Sequence, residues 1–141
     1  MTFWLMVPMT LSACQTTGLV FGGSEKALSS PQLIAALNGG LVGQVSALEL
    51  TNTDQRLALA SEYRALEYAA PGELVTWQSS AVALAGQVTA SQPYRVGSQN
   101  CRQYSHRIFS TQVTASGSAP AAAHGTACRN IDGSWNLLGR S

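Results

Sequence analysis

Residues 53–72 read TDQRLALASEYRALEYAAPG, and their pattern decides the fold. Asn52 or Thr53 is placed to cap a helix, and Asp54 in its first turn meets the positive end of the helix dipole. Leu59, Tyr63, Leu66 and Ala70 recur at helical spacing and form one stripe. Pro71-Gly72 stops the helix. Beyond this stop the periodicity changes to alternation broken by turn signals, the mark of an antiparallel meander. Strands are expected over 74–79, 82–89, 101–113, 121–130 and 134–138, with turns at Gly97, Ser116-Gly117 and Asp132-Gly133. Asp132-Gly133, flanked by Ile131 and Trp135, has the form of a two-residue hairpin loop. Trp77 and Trp135 are expected to seal the sheet against the helix. The fold class is therefore α+β, one helix packed on a small antiparallel β meander, spanning residues 51–141.

The chain has 141 residues, one domain's worth. Hydrophobic residues make up 45%, ordinary for a globular protein, which excludes intrinsic disorder. Charged residues make up only 11%, and the net charge is +1. No field of one sign exists to draw in nucleic acid or an acidic membrane. No run of about 18 uninterrupted apolar residues occurs, which excludes a polytopic membrane protein. The charge is unevenly divided: apart from Asp132, the charged residues after position 73 are all Arg. The planar guanidinium fork suits carboxylate or phosphate, so Arg95, Arg102, Arg107 and Arg129 are candidate anion-binding residues. Solvated strand edges and internal pairs with helix acids are the alternative for the same four.

Upstream of the helix, residues 1–13 read MTFWLMVPMTLSA and carry no charge. Leu11-Ser12-Ala13-Cys14 has the lipobox order of a branched apolar residue, two small residues and Cys. Small residues let a membrane-embedded peptidase approach the backbone, and the Cys14 thiol takes up a diacylglyceryl group. Each buried methylene of such a group contributes about 0.8 kcal/mol of membrane affinity, so two or three chains anchor a protein firmly. Residues 1–13 are thus a lipoprotein signal segment, and 14–30 a tether. A short buried hydrophobic segment is the rival reading. The first cation is Lys26, whereas a signal segment normally opens with Lys or Arg, which points to a start upstream of Met1. Gln15, in place of the Asp that marks inner-membrane retention, favours the outer membrane. Residues 31–50 read PQLIAALNGGLVGQVSALEL. Pro31 suits a first helical position, and Ala35, Gly39, Gly43 and Ala47 would form a narrow smooth stripe for helix docking or self-association. This glycine-zipper-like helix competes with a surface-lying helix, a single membrane span and a flexible linker, since two adjacent Gly cost about 2 kcal/mol of helix stability.

The chain contains Cys14, Cys101 and Cys128. With Cys14 lipidated, an even pair remains in an oxidising compartment, which argues for a Cys101–Cys128 disulfide. A bridge closing roughly 27 residues stabilises a fold by about 3–4 kcal/mol in the chain-entropy model. No CxxC or zinc spacing is present, and no cofactor is expected other than covalent lipid. If the two Cys face each other across antiparallel strands, alternation sends His106 and His124 to opposite faces. A shared metal is then unfavourable, and both His read as strand residues at a wet edge. Neither a G-x-S-x-G elbow nor a GxxxxGK[ST] loop occurs. Tyr94 and Tyr104 beside Arg could stack on a sugar or base, or simply pack in the core.

Taken in order, these pieces resemble a family. Lipobox, small-residue segment, Asp54-Gln55-Arg56, the step from Gly72 through Val75 to Trp77, Cys101-Arg102, and G-T-A-C-R at 125–129 followed by D-G-S-W at 132–135 resemble the surface-antigen lipoproteins of the rickettsial 17-kDa type. The resemblance covers about residues 51–138. Its zipper is shorter than the family's and broken by Asn38 and Gln44, and Gln78-Ser79-Ser80-Ala81 replaces the family's Asn-rich turn. It implies an outer-membrane-anchored antigen, facing the periplasm or the cell surface of a Gram-negative envelope, with no catalysis. The function expected is a structural or accessory role in the envelope or an envelope complex. Its partners would be outer-membrane lipid and a membrane-protein complex or a second copy, met through residues 31–50, with no nucleic acid. The rival is a periplasmic binding or inhibitor module whose Arg-bearing sheet takes an anionic glycan, a lipid head group or a lysozyme-like enzyme. A hydrolase is disfavoured because few titratable groups converge.

Overall fold

The computed structural model describes residues 30–45, 50–111 and 121–140. Two helices, α1 (Ser30–Ala35) and α2 (Asn52–Glu67), precede six strands: β1 (Leu74–Gln78), β2 (Leu84–Ala90), β3 (Tyr94–Val96), β4 (Gln99–Ser110), β5 (Ala121–Arg129) and β6 (Trp135–Arg140). The architecture is α+β, with one main helix laid on an antiparallel sheet. Thr51, not Asn52 or Thr53, caps α2: its hydroxyl oxygen accepts from Asp54 N at 3.1 Å while its O–H donates to the Asp54 carboxylate at 2.8 Å. Gly72, at φ +81°, turns the chain into the sheet, and its N–H donates to Ala90 O. The face that α2 buries takes in most of the expected stripe but is centred beside it. Ala58, Ser61, Glu62, Ala65 and Leu66 are inside, Leu59 and Tyr63 are half-buried, and Ala70 lies exposed past the helix end. Two alanines on the contact face allow a closer approach than leucines would.

The sheet runs β1-β2-β4-β5-β6, every pairing antiparallel. β3, which the sequence pattern does not announce, pairs with the start of β4 along the edge that β2 also uses. Pro93 stands between the two and has no N–H to give the ladder. The β5–β6 connection is longer than the two-residue turn expected at Asp132-Gly133. Arg129 pairs with Trp135, and Asp132 accepts from both the N–H and the hydroxyl of Ser134 inside the loop. Cys101 and Cys128 stand opposite each other, are disulfide-bonded, and fix the β4–β5 register.

One face of the sheet meets α2 and carries Val75, Trp77, Val88, Tyr104, Ile108, Ala127 and Trp135 into the core. Both Trp lie between sheet and helix as expected. Trp77 pairs with Gly86, and a Cβ there would collide with the indole. Glycine is therefore required opposite the tryptophan. The opposite face presents Thr76, Gln103, Arg107 and His124 to solvent.

Residues 31–50 do not form one helix. α1 ends at Ala35, Asn38, Gly39 and Gly40 all adopt positive φ, and a short 3-10 turn follows at Val42–Gln44. Three successive left-handed residues cannot propagate a right-handed helix. The segment instead folds back, and Leu37, Leu41, Val42 and Val45 enter the core. No helix among the described residues is long and apolar enough to cross a membrane. Gly86→Ala is expected to lower stability by about 1–3 kcal/mol, read as a shift in the urea midpoint. Gly43→Ala, exposed and with nothing near its Cβ position, is expected to leave the midpoint unchanged.

Candidate functional site

The most concentrated chemistry lies under the middle of α2. Glu62 is fully buried, flanked one turn away on either side by Ala58 and Ala65. Its two oxygens accept four hydrogen bonds: from Leu41 N at 2.9 Å, Val42 N at 2.8 Å, the Tyr104 hydroxyl at 2.9 Å and His106 Nδ1 at 2.7 Å. The Trp77 indole N–H donates to His106 Nε2 at 2.9 Å. An indole nitrogen can only donate, so Nε2 accepts and the proton of His106 sits on Nδ1, pointing at Glu62. Every Glu62 partner is a donor, the arrangement that suits an ionised carboxylate. Burial, and then the charge of Glu62, pushes the Tyr104 phenol well above its ordinary range. Gly40 completes the packing, because a Cβ there would strike the Glu62 carboxylate.

His106 thus lies in the core, with no exposed surface, and is not at a wet edge. Its Nδ1 meets a carboxylate from the helix. His124 is exposed on the opposite face, as the alternation argument expects. The cluster is closed to solvent at Glu62 and His106, both fully buried. Its chemistry is that of a clamp tying α2, the 37–45 segment, β1 and β4 together. Among the described residues no group of three or more His, Cys, Asp or Glu is placed to hold a metal.

The four arginines do not form one patch. Arg102 is 3% exposed and turns inward. Its Nε donates to Ser91 O at 2.8 Å, and Nη1 donates to the carbonyls of Ala65, Leu66 and Ala69 at 2.9–3.0 Å. It caps the end of α2, where helix carbonyls otherwise lack partners. Arg129 makes a two-point pair with Glu67 at 2.9 and 3.0 Å, and the Trp135 indole donates to the same carboxylate at 2.7 Å. Arg95 is exposed on β3, its Nη2 donating to Ser98 O, and Arg107 is exposed on the outer face. Arg102 and Arg129 share a hollow beside the C-terminal end of α2. A wider, shallow groove on the outer face is lined by Thr89, Gln103, Ser105, His124 and Thr126.

Of the other candidate residues, Ala35 is exposed in α1, Gly39 belongs to the left-handed turn, and Gly43 lies exposed in the 3-10 turn. They do not share a helical stripe. Ala47 and Cys14 lie outside the described residues. Sequence reasoning missed Glu62, and placed Trp77 and Tyr104 in packing roles without seeing that they join it. The available signal was Ala58, Glu62 and Ala65 on one face of α2, a small-polar-small series where a core stripe would carry large apolar side chains.

One main helix clamped on a disulfide-locked antiparallel sheet, with Asp54, Glu62, Arg102 and His106 buried, defines a small α+β domain. The family described as 17 kDa outer membrane surface antigen matches residues 64–136. The 17 kDa surface antigen of Rickettsia bellii is 31% identical over 95% of this chain and 93% of its own length. Those of Rickettsia conorii and Rickettsia rickettsii are 37% identical over 60% of this chain and 50% of theirs. No solved structure matches. The chain belongs to the 17 kDa surface antigen family, which associates it with the cell surface or outer membrane.

Glu62→Gln should be strongly destabilising, by about 3–5 kcal/mol in urea unfolding, because the amide turns an N–H toward partners that are themselves donors. Acid should weaken the fold through Asp54 and Glu67. Burial pushes both carboxyls up, but the hydrogen bonds of Thr51 and Ser79 to Asp54, and of Arg129 and Trp135 to Glu67, outweigh it and hold both below their ordinary values. Their stabilisation is therefore complete above the unfolded values near about pH 4 and is lost as pH falls through the lower folded values. Urea midpoints measured between neutral pH and acid should fall in that window, and Glu67→Gln should flatten the fall.

Proposed function

We propose that the protein is an outer-membrane lipoprotein, anchored through Cys14, whose folded domain is a structural or accessory part of the envelope and not a catalyst. The observation that carries this reading is the use made of the charged interior. Glu62 holds Leu41 and Val42, Arg102 holds the end of α2, and Glu67 holds Arg129 and Trp135. Titratable groups that an active site would leave facing a cleft are here consumed in joining one element to another. The 37–45 segment, on the side of the chain that leads to Cys14, is stitched into the domain core. Such a design transmits load between an anchor and a compact head.

The hydrophobic opening of the chain and Leu11-Ser12-Ala13-Cys14 support the anchor, and membership of a family described as an outer membrane surface antigen supports the location. The head itself offers a rigid polar sheet face for an envelope partner. The test is the intact mass and membrane fractionation of the protein from its native envelope. The expected mass begins at Cys14 with acyl chains attached and gains two hydrogens on reduction. Cys14→Ser should move the protein out of the outer-membrane fraction. An unlipidated chain that keeps residues 1–13 would overturn the reading.

A further inference from the structure

The sheet face turned away from α2 forms a shallow groove of about 530 Å³, within the usual range for ligand sites. Its floor is almost all hydroxyl, amide and imidazole. Thr89, Ser105 and His124 stand side by side on β2, β4 and β5, and Gln103 faces Thr126 in the next row. On the other side of that first row, Gln87 pairs with Arg107. Each of these side chains reaches solvent, and none has a partner among the described residues. A surface that only meets water ordinarily carries Lys and Glu, but here Arg107 is the one formal charge. The other charged groups around the rim are turned elsewhere. Glu73 accepts from Ala70 N on the helix side, Arg95 donates to Ser98 O, and Asp132 is held by Ser134 and interacts with Arg129.

An aromatic ring stands at one end. Tyr94 pairs with Cys101, two residues before Gln103 on the same face, and is 42% exposed. Aromatic side chains reach their diagonal neighbours on a sheet face, so the ring borders the groove beside Gln103. From the Tyr94 row to the Arg107 row is about 20 Å of strand. A protein interface sets apolar side chains at its centre and polar ones at its rim. Here the order is reversed, with Tyr94 and the exposed Leu74 at the margins and hydroxyls and amides between them. That is the complement of a sugar chain, whose hydroxyls donate and accept and whose C–H ring faces lie on aromatic surface. We propose that the groove binds an oligosaccharide, with one sugar ring stacked on Tyr94, hydroxyls met by Gln103, Thr126, Ser105 and His124, and a carboxylate on a later sugar paired with Arg107. This inference goes beyond the scaffold role and does not depend on the lipid anchor.

The test follows the Gln103 side-chain amide and the His124 ring of the full, disulfide-bonded protein by nitrogen-15 NMR during titration. The probes are chitotetraose, which is uncharged, and a hyaluronan tetrasaccharide, which carries a carboxylate on every second sugar, compared at equal ionic strength. Both should move the two signals saturably, the hyaluronan tetrasaccharide several-fold more tightly. Arg107→Gln should erase that difference and leave chitotetraose binding unchanged. Tyr94→Ala should weaken both sugars by about fivefold or more. Gln103 and His124 signals indifferent to both sugars would mean that the face meets only water, and would overturn the proposal. Chitotetraose binding as tightly as the hyaluronan tetrasaccharide would overturn it too, as would a Tyr94→Ala protein that binds like the original. Both substituted side chains are exposed, and the wild-type titrations decide without the variants should either fail to fold.

Discussion

The Glu62 carboxylate is the point on which the molecule is assembled. Taking a carboxylate out of water incurs a penalty of several kcal/mol even after relaxation, and only well-made hydrogen bonds recover it. Glu62 receives four, from two backbone amides, a phenol and an imidazole. These donors come from the 37–45 segment and from β4, and β1 joins through Trp77 and His106. An apolar side chain at this place would fill the same space with no preference among neighbours. A carboxylate accepts only one arrangement, in which α2, the returning segment and the central strand are in register together. The neutral His106 tautomer follows from that arrangement, since its two nitrogens must donate to Glu62 and accept from Trp77.

A second constraint comes from strand alternation around the disulfide. Cys101 and Cys128 are each followed by Arg, and successive strand residues point to opposite faces. The bond that joins the cysteines therefore sends Arg102 and Arg129 together to the helix side of the sheet. There the two behave differently. Arg102 is spent on helix carbonyls and Arg129 on a carboxylate. The repeated Cys-Arg pair is thus a device for delivering two guanidiniums to the same end of one helix.

The strands and the main helix were legible because their signals are local. Pro71-Gly72 stops α2, the cysteine pair sets the β4–β5 register, and alternation separates His106 from His124. The strand β3 was not legible, because Pro93 and a three-residue length leave no alternation to see. The clamp was hidden for a different reason. Glu62 meets partners 20 to 44 residues away, and a polar residue on a helix face ordinarily signals solvent. Residues 31–50 misled in the opposite direction. Apolar and small residues at helical spacing fit a docking helix, yet the same residues serve a turn, since Gly40 must lack a Cβ beside Glu62 and Leu41 must reach the core. Periodicity reports which residues are small or apolar, not whether the backbone between them stays helical.

The position of the 37–45 segment also imposes an order of events on a chain made from its N-terminus. Leu41 and Val42 emerge first, but the groups that meet them, Glu62 on α2, Tyr104 on β4 and Gly125 on β5, come later in the sequence. Contacts of such long span carry the loop-closure entropy that slows folding. During synthesis, therefore, the segment remains an unburied apolar stretch until β4 and β5 have paired. A segment made early thus finds its place only after later strands have formed, and until then its apolar side chains are open to capture by a chaperone or a membrane.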